Sequence, residues 1–170
     1  MSIVLCRVDS RLIHGQVVTK WVGQSNANRI IVVSDQLEKD EFMRSIYLMA
    51  APPDVKVECL GNESIKKAKE NGDLENGRIL LILPDIDTLK KIIDADIYKG
   101  KVQIGGLGGG PNRKVVFQNI TLNEHDTKIL EEINKAGVEI YFQTIPEDSP
   151  QSFDKILEKS TDAIKYKGVI

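Results

Sequence analysis

The sequence predicts an α/β protein, a three-layer, doubly wound and mostly parallel sheet of about six to seven strands with helices on both faces. Three observations carry that prediction. Apolar runs rich in β-branched residues alternate with amphipathic stretches along the whole chain, the pattern of βαβ units. The runs Ile30-Ile31-Val32-Val33 and Ile79-Leu80-Leu81-Ile82-Leu83 show little polar alternation, which suits strands covered on both faces. Glycine, proline and helix-capping residues fall between these segments rather than inside them.

The elements follow in order. A strand at 3–8 leads into a helix at 15–24, where Val17, Val18, Trp21 and Val22 take helical spacing and read as core packing. A strand at 29–33 precedes a helix at 36–50, which Pro52 and Pro53 close. A strand at 55–60 runs to Asn62, read as the N-cap of a helix at 63–71, with Gly72 at its left-handed C-terminal position. A strand at 78–83 stops at Pro84 and a helix at 86–94 follows. After a strand at 101–105, the run Gly105 to Gly110 reads as a flexible turn lining the site, and 114–120 as an extra strand at a sheet edge; whether copies of the chain pair there into a homo-oligomer is left open by the sequence. Asn123 caps a helix at 124–136, Gly137 ends it, and a strand at 138–143 and a helix at 152–160 complete the chain. No repeat, low-complexity tract or long linker interrupts this order, so 1–170 reads as one domain.

Composition excludes several functions. With 23 Lys and Arg against 25 Asp and Glu, the formal charge of −2 offers no general attraction to nucleic acid or anionic lipid. Two histidines, His14 and His125, and two cysteines, Cys6 and Cys59, lie far apart in sequence, so a closed zinc site is not expected. Both cysteines sit in strand-like runs and read as buried thiols in a reducing compartment. The N-terminus resembles no secretory signal, and the apolar run 79–83 is far too short to cross a bilayer, so membrane association is expected only through partners.

Ligands of open α/β sheets gather at the carboxyl ends of the strands, which directs attention to the loop after the first strand. There Asp9-Ser10-Arg11-Leu12-Ile13-His14-Gly15-Gln16 places an acid, a hydroxyl, a guanidinium and an imidazole ahead of a helix N-terminus. Unpaired amides and the macrodipole favour an anion at such a terminus, and Gly15 lets backbone approach it. A neutral imidazole is a nucleophile toward phosphorus, Arg11 can fork onto phosphoryl oxygens, and Asp9 can orient either side chain. The same residues admit plain roles: a histidine at a helix start as a surface or capping group, Arg11 in a structural ion pair, Asp9 as a turn former. Spacing alone does not choose between them.

Other features point less sharply. Gly105 to Gly110 matches neither G-x-G-x-x-G before a helix nor G-x-x-x-x-G-K-[ST], so no nucleotide is expected there. Asp35 faces the same cleft or caps the helix that follows it, and Gly106 is placed at the cleft. His125, in the first turn of its helix beside Glu124 and Asp126, reads as an exposed surface histidine.

The stretch from Arg7 to Trp21, with its Arg11-Leu12-Ile13-His14-Gly15-Gln16-Val17 core, closely resembles the phosphorylation-site segment of IIB components of the bacterial phosphoenolpyruvate-dependent sugar phosphotransferase system, mannose/fructose/sorbose family. The resemblance continues through Ile31 to Asp35, Asp40, Ala50-Ala51-Pro52, Ile104-Gly105-Gly106 and Gly137-Val138-Glu139 to Pro146. Ser10, where the family often has an acid or amide, and the glycine-rich Leu107 to Pro111 depart from it.

The resemblance implies a phosphocarrier without metal, nucleotide or organic cofactor. His14 would accept a phosphoryl group on Nδ1 from a phosphohistidine of IIA and pass it to a sugar entering through the membrane subunits IIC and IID. Arg11 would map to the phosphoryl clamp and Asp9 to the orienting acid, with Ser10, Ile13, Gly15 and Gln16 forming the phosphate loop. The protein would be cytoplasmic, held at the inner membrane face through IIC and IID. Arg7, Arg11 and Lys20 would form a basic rim that steers an acidic donor face. Two rivals accompany this reading: a module that grips phosphate or sugar phosphate without a covalent step, and a regulatory relative without a transport role.

Overall fold

The computed structural model describes residues 2–159. In chain order the elements are β1 (Ile3–Asp9), α1 (Gly15–Ser25), β2 (Arg29–Val33), α2 (Asp35–Lys39), α3 (Glu41–Met49), β3 (Lys56–Leu60), α4 (Asn62–Glu70), β4 (Ile79–Leu83), α5 (Ile86–Asp94), β5 (Val102–Gly106), β6 (Lys114–Phe117), β7 (Ile120–Leu122), α6 (Glu124–Lys135), β8 (Ile140–Phe142) and β9 (Gln151–Ser152). A last helical segment follows at 153–159, and residue 160 of the expected helix lies outside the described residues.

Seven strands form the central sheet in the order β3-β2-β4-β1-β5-β8-β9, all parallel except β9, which pairs antiparallel with β8. The uninterrupted apolar strands occupy its interior: every residue from Ile79 to Leu83 is wholly buried. Side chains on one sheet face pack with Val18 and Trp21 of α1 and Leu37 of α2, and those on the other with α4, α5, α6 and Phe153. Three layers result, because each face of the sheet must be covered by apolar helix surface. Cys6 and Cys59 are buried free thiols, and burial pushes Cys6 up to about 12.

Four expectations need correction. The helix expected at 36–50 is two helices, because the pattern contains two caps: Ser34 Oγ accepts from Leu37 N, and Asp40 Oδ1 accepts from Met43 N while its own backbone leaves the helical region. Gly61, not Asn62, is the N-cap of α4. Its amide and that of Asn62 donate to Glu38 and Asp35, and a Cβ at Gly61 would lie 2.7 Å from Asp35 Oδ1. The stretch 114–120 is no edge strand of the main sheet; β6 turns back at Gln118, with φ 44, and pairs with β7 in a separate two-stranded sheet. Gly105 and Gly106 belong to β5, and the connection after them is tied down: Gly108 N donates to Ser10 Oγ, and Thr121 Oγ1 donates to Gly108 O. The caps at Asn123, Gly72 and Gly137 stand where the sequence puts them.

This topology positions one crevice. β1 lies between β4 and β5; the chain leaves β1 toward the α1 face, whereas β4 leads to α5 on the opposite face. Neighbouring strands whose connections part to opposite faces open a cleft at their carboxyl ends, and here it opens at Asp9, in register with Gly106.

Candidate active site

The site begins with strand alternation. Leu5, Arg7 and Asp9 share the face of β1 that looks toward α1, while Cys6 and Val8 face the other core. Asp9 is 1% exposed. A carboxylate so placed must be fully bonded. Its Oδ1 accepts from the Arg11 amide at 3.0 Å and faces Arg11 Nε at 3.4 Å; its Oδ2 faces Arg7 Nη2 and His14 Nε2, each at 3.1 Å.

The loop that brings His14 back over Asp9 is a tight turn. Leu12 N donates to Asp9 O, and Leu12 takes φ 58, a left-handed conformation held because the Leu12 and Ile13 side chains are buried. Ile13 therefore anchors the loop from beneath. His14 then stands at the N-cap of α1 with extended backbone, φ −144 and ψ 133. Its ring does not cap the helix, because it turns to Asp9, and no acidic residue occupies the first turn. The amides at that end consequently keep their capacity for an anion. Gly15 takes φ 48 with open space around it, so glycine is required by backbone conformation rather than by a crowded approach. Gln16 lies in the first turn of α1.

Arg11 is 54% exposed. Its Nη nitrogens have no hydrogen bond among the described residues, so the guanidinium hangs by Nε from Asp9 and presents its outer edge to solvent beside the ring. Ser10 lies beside it, its amide donating to Gly106 O and its hydroxyl accepting from Gly108 N. Gly106 is necessary: a Cβ there would sit 2.8 Å from Asp9 Oδ1 and 3.2 Å from Arg11 Nη2. The predicted group His14, Arg11, Asp9, Ser10 and Gly106 is therefore brought together.

Asp35 is not part of it. Ser34, not Asp35, caps α2, and both oxygens of Asp35 bond to Asn62, whose donors hold the carboxyl below its ordinary value. The basic rim also fails as a unit. Arg7 is 2% exposed, and Lys20 pairs with Glu147, so of the three cations Arg11 alone opens beside the ring. His125 is exposed as expected and pairs with Asp87. Among the described residues, no three of His, Cys, Asp and Glu gather in a way that holds a metal ion.

Sequence reading missed what lies behind Asp9. Arg7 donates to Gln103 Oε1, to the carbonyls of Gln143 and Thr144 and to Asp9, and lies 5.3 Å over the Trp21 ring. Trp21 Nε1 donates to the same Thr144 carbonyl. Burial pulls the guanidinium below its ordinary value, and Asp9 opposes that pull. The signal was available as strand periodicity, since residues 7 and 9 of a buried strand share one face.

Comparison with known proteins fits this geometry. The family model for the PTS system sorbose subfamily IIB component matches residues 3–167. The chain belongs to that family. It is 31% identical to the fructose-specific EIIB component of Bacillus subtilis (strain 168) over 161 residues, covering 95% of this chain and 99% of the relative. It is 30% identical to the sorbose-specific EIIB component of Klebsiella pneumoniae, covering 93% and 97% of the two. The crystal structure of the IIBSor domain of the Klebsiella pneumoniae sorbose permease superposes with a TM-score of 0.88 at 27% identity, covering 94% and 98%. The IIB chain is thus a phosphocarrier, a phosphotransferase of the sugar phosphotransferase system.

Proposed function

We propose that His14 carries the phosphoryl group, on Nδ1, between a phosphorylated IIA protein and a sugar presented by the membrane subunits IIC and IID. The observation that carries this reading is the 3.1 Å contact between Asp9 Oδ2 and His14 Nε2. A carboxylate facing Nε2 selects the tautomer with the proton there, which leaves the lone pair on Nδ1. The Nδ1 lone pair attacks phosphorus as the bond to the donor histidine nitrogen breaks, and the donor nitrogen keeps that electron pair. The proton stays on His14 Nε2, where Asp9 offsets the positive charge the ring acquires on phosphorylation.

The three phosphoryl oxygens then meet two sources of positive potential, the exposed edge of Arg11 and the uncapped start of α1. Both stabilise the charge that spreads over those oxygens during in-line transfer. In the second transfer a sugar hydroxyl oxygen attacks phosphorus as the bond from phosphorus to Nδ1 breaks, Nδ1 keeps that electron pair, and the hydroxyl proton passes to water. The covalent reading is favoured over simple phosphate binding because, among the described residues, the imidazole is engaged through one nitrogen only, and it is 22% exposed, held yet reachable.

In this reading residues 1–170 act as one phosphocarrier domain at the inner membrane face, held there by IIC and IID; among the described residues no helix is long and apolar enough to cross a membrane. The test is incubation of the purified chain with phosphorylated IIA. One acid-labile phosphoryl group per chain, absent from a His14→Ala variant, is expected. Label that persists in His14→Ala, or that survives acid, overturns the reading.

A further inference from the structure

We propose that Arg7 is a positioning residue for phosphoryl transfer: a buried guanidinium that fixes Asp9 so that Asp9 can fix the His14 ring. The inference rests on the reading of His14 given above. Arg7 has no exposed surface from which to meet a donor or a phosphoryl group, being 2% exposed, so it acts through Asp9 or not at all.

The geometry is over-determined in a way that packing alone does not require. Nη1 donates to Gln103 Oε1 at 2.5 Å and to the Gln143 carbonyl at 3.0 Å; Nη2 donates to the Thr144 carbonyl at 3.0 Å and to Asp9 Oδ2 at 3.1 Å. The ring of Trp21 underlies the guanidinium, and the Trp21 N–H holds the Thr144 carbonyl to which Arg7 also bonds. Three of the four Arg7 bonds thus go to fixed points on β5 and the segment after β8, and the fourth goes to Asp9 Oδ2. That oxygen is the one that faces His14 Nε2. A planar fork held at both ends can set the torsion of a carboxylate; a single flexible ammonium cannot.

β5 is shaped to accept this fork. A Cβ at Gly105 would lie 2.0 Å from Arg7 Cζ, so the space beside this strand position is filled by the guanidinium itself. Two neighbouring glycines, Gly105 against Arg7 and Gly106 against Asp9, clear room for the two members of the pair. A buried arginine kept for stability alone does not call for the second clearance at its partner. Removing half of a buried ion pair is costly, whereas an apolar replacement of the whole pair is often neutral, which favours a functional reason for keeping it.

The test reads the tautomer of His14 by nitrogen-15 NMR of the ring on the full chain at alkaline pH, together with the rate of phosphoryl uptake from phosphorylated IIA. Arg7→Lys keeps the buried charge but loses the fork. Gly105→Ala keeps Arg7 and displaces only the far end of its side chain. In the wild-type chain the proton is expected on Nε2. In both variants the two ring nitrogens are expected to move toward averaged shifts, and uptake to slow by roughly ten- to a hundredfold, the scale on which partners behind a working histidine act. A merely structural Arg7 changes stability and leaves the tautomer alone. Either folded variant with the wild-type tautomer and rate overturns the proposal. So does a wild-type ring carrying its proton mainly on Nδ1, which needs no variant to fold. Neither result touches the phosphocarrier reading, which stands or falls on labelling of His14.

Discussion

Asp9 Oδ2 lies 3.1 Å from His14 Nε2, and the carboxylate that makes this contact is 1% exposed. A buried carboxylate at that distance acts on the ring with little screening by water. It also serves the Arg11 amide and Arg7, so one side chain links the turn, the Arg11 backbone and the His14 ring.

Asp9→Asn is therefore expected to cost both activity and stability. The amide no longer balances the buried Arg7 charge, and breaking a buried pair costs about 3–5 kcal/mol. Urea denaturation measures that loss. Uptake of phosphate from phosphorylated IIA should fall at least about a hundredfold in the fraction that stays folded, because the ring loses its tautomeric guide.

Arg11→Ala separates the two effects. The side chain is 54% exposed, and the backbone bond from the Arg11 amide to Asp9 survives the substitution. Stability should change by no more than about 0.5 kcal/mol. Transfer should slow by roughly a hundred- to a thousandfold, the scale of losing one preorganised partner of a charged transition state. Single-turnover labelling beside a thermal melt checks both. A variant that unfolds places Arg11 in the scaffold.

Gly106→Ala probes the crowding of the cleft from the β5 side. The added carbon meets Asp9 Oδ1 at 2.8 Å, and Asp9 is held through both oxygens and cannot turn away freely. A stability loss of about 1–3 kcal/mol is expected for such overpacking. Slower labelling should accompany it, because Asp9 and Arg11 are displaced together.

Stability at low pH should depend on a cluster far from the site. Arg29 donates to both oxygens of Glu58 and to Asp73. Burial pushes the Glu58 carboxyl up, yet Arg29 and Lys56 outweigh it and hold the group below 4.5; Arg29 likewise holds Asp73 below 3.8. For carboxyls depressed in the folded state, the stabilisation is complete above those ordinary values and is lost as pH falls through the lower folded ones. The unfolding midpoint of the wild-type chain should fall steeply on going from about pH 5 to about pH 3. Arg29→Gln should lower the midpoint at neutral pH and flatten that slope, as thermal melts across the range will show.

The parallel core was legible because its strands are buried on both faces and spell themselves out as apolar runs; β2 and β4 appear within a residue of their expected limits. Local capping chemistry also reads directly, as at Asn123. What could not be read depends on partners distant in sequence. Asp40 looks like any acid inside a helical pattern until its side chain is seen to start a new helix. Asp35 stands after β2, where a cleft residue is expected, but Asn62 at the start of α4 supplies donors that claim both its oxygens. The site divides the same way. His14, Arg11 and Asp9 stand close together in sequence, whereas Arg7 acquires its contacts only when β5 brings Gln103 and Gly105 beside it and the segment after β8 closes over it.

In the proposed phosphorylated state Nδ1 of His14 carries the phosphoryl group while Asp9 holds Nε2. Phosphorus-31 and nitrogen-15 NMR of the chain phosphorylated by IIA test it most directly. A single phosphoramidate coupled to Nδ1 of His14, with Nε2 protonated, is the predicted result. Phosphorus bonded to Nε2, or to any other residue, contradicts the account.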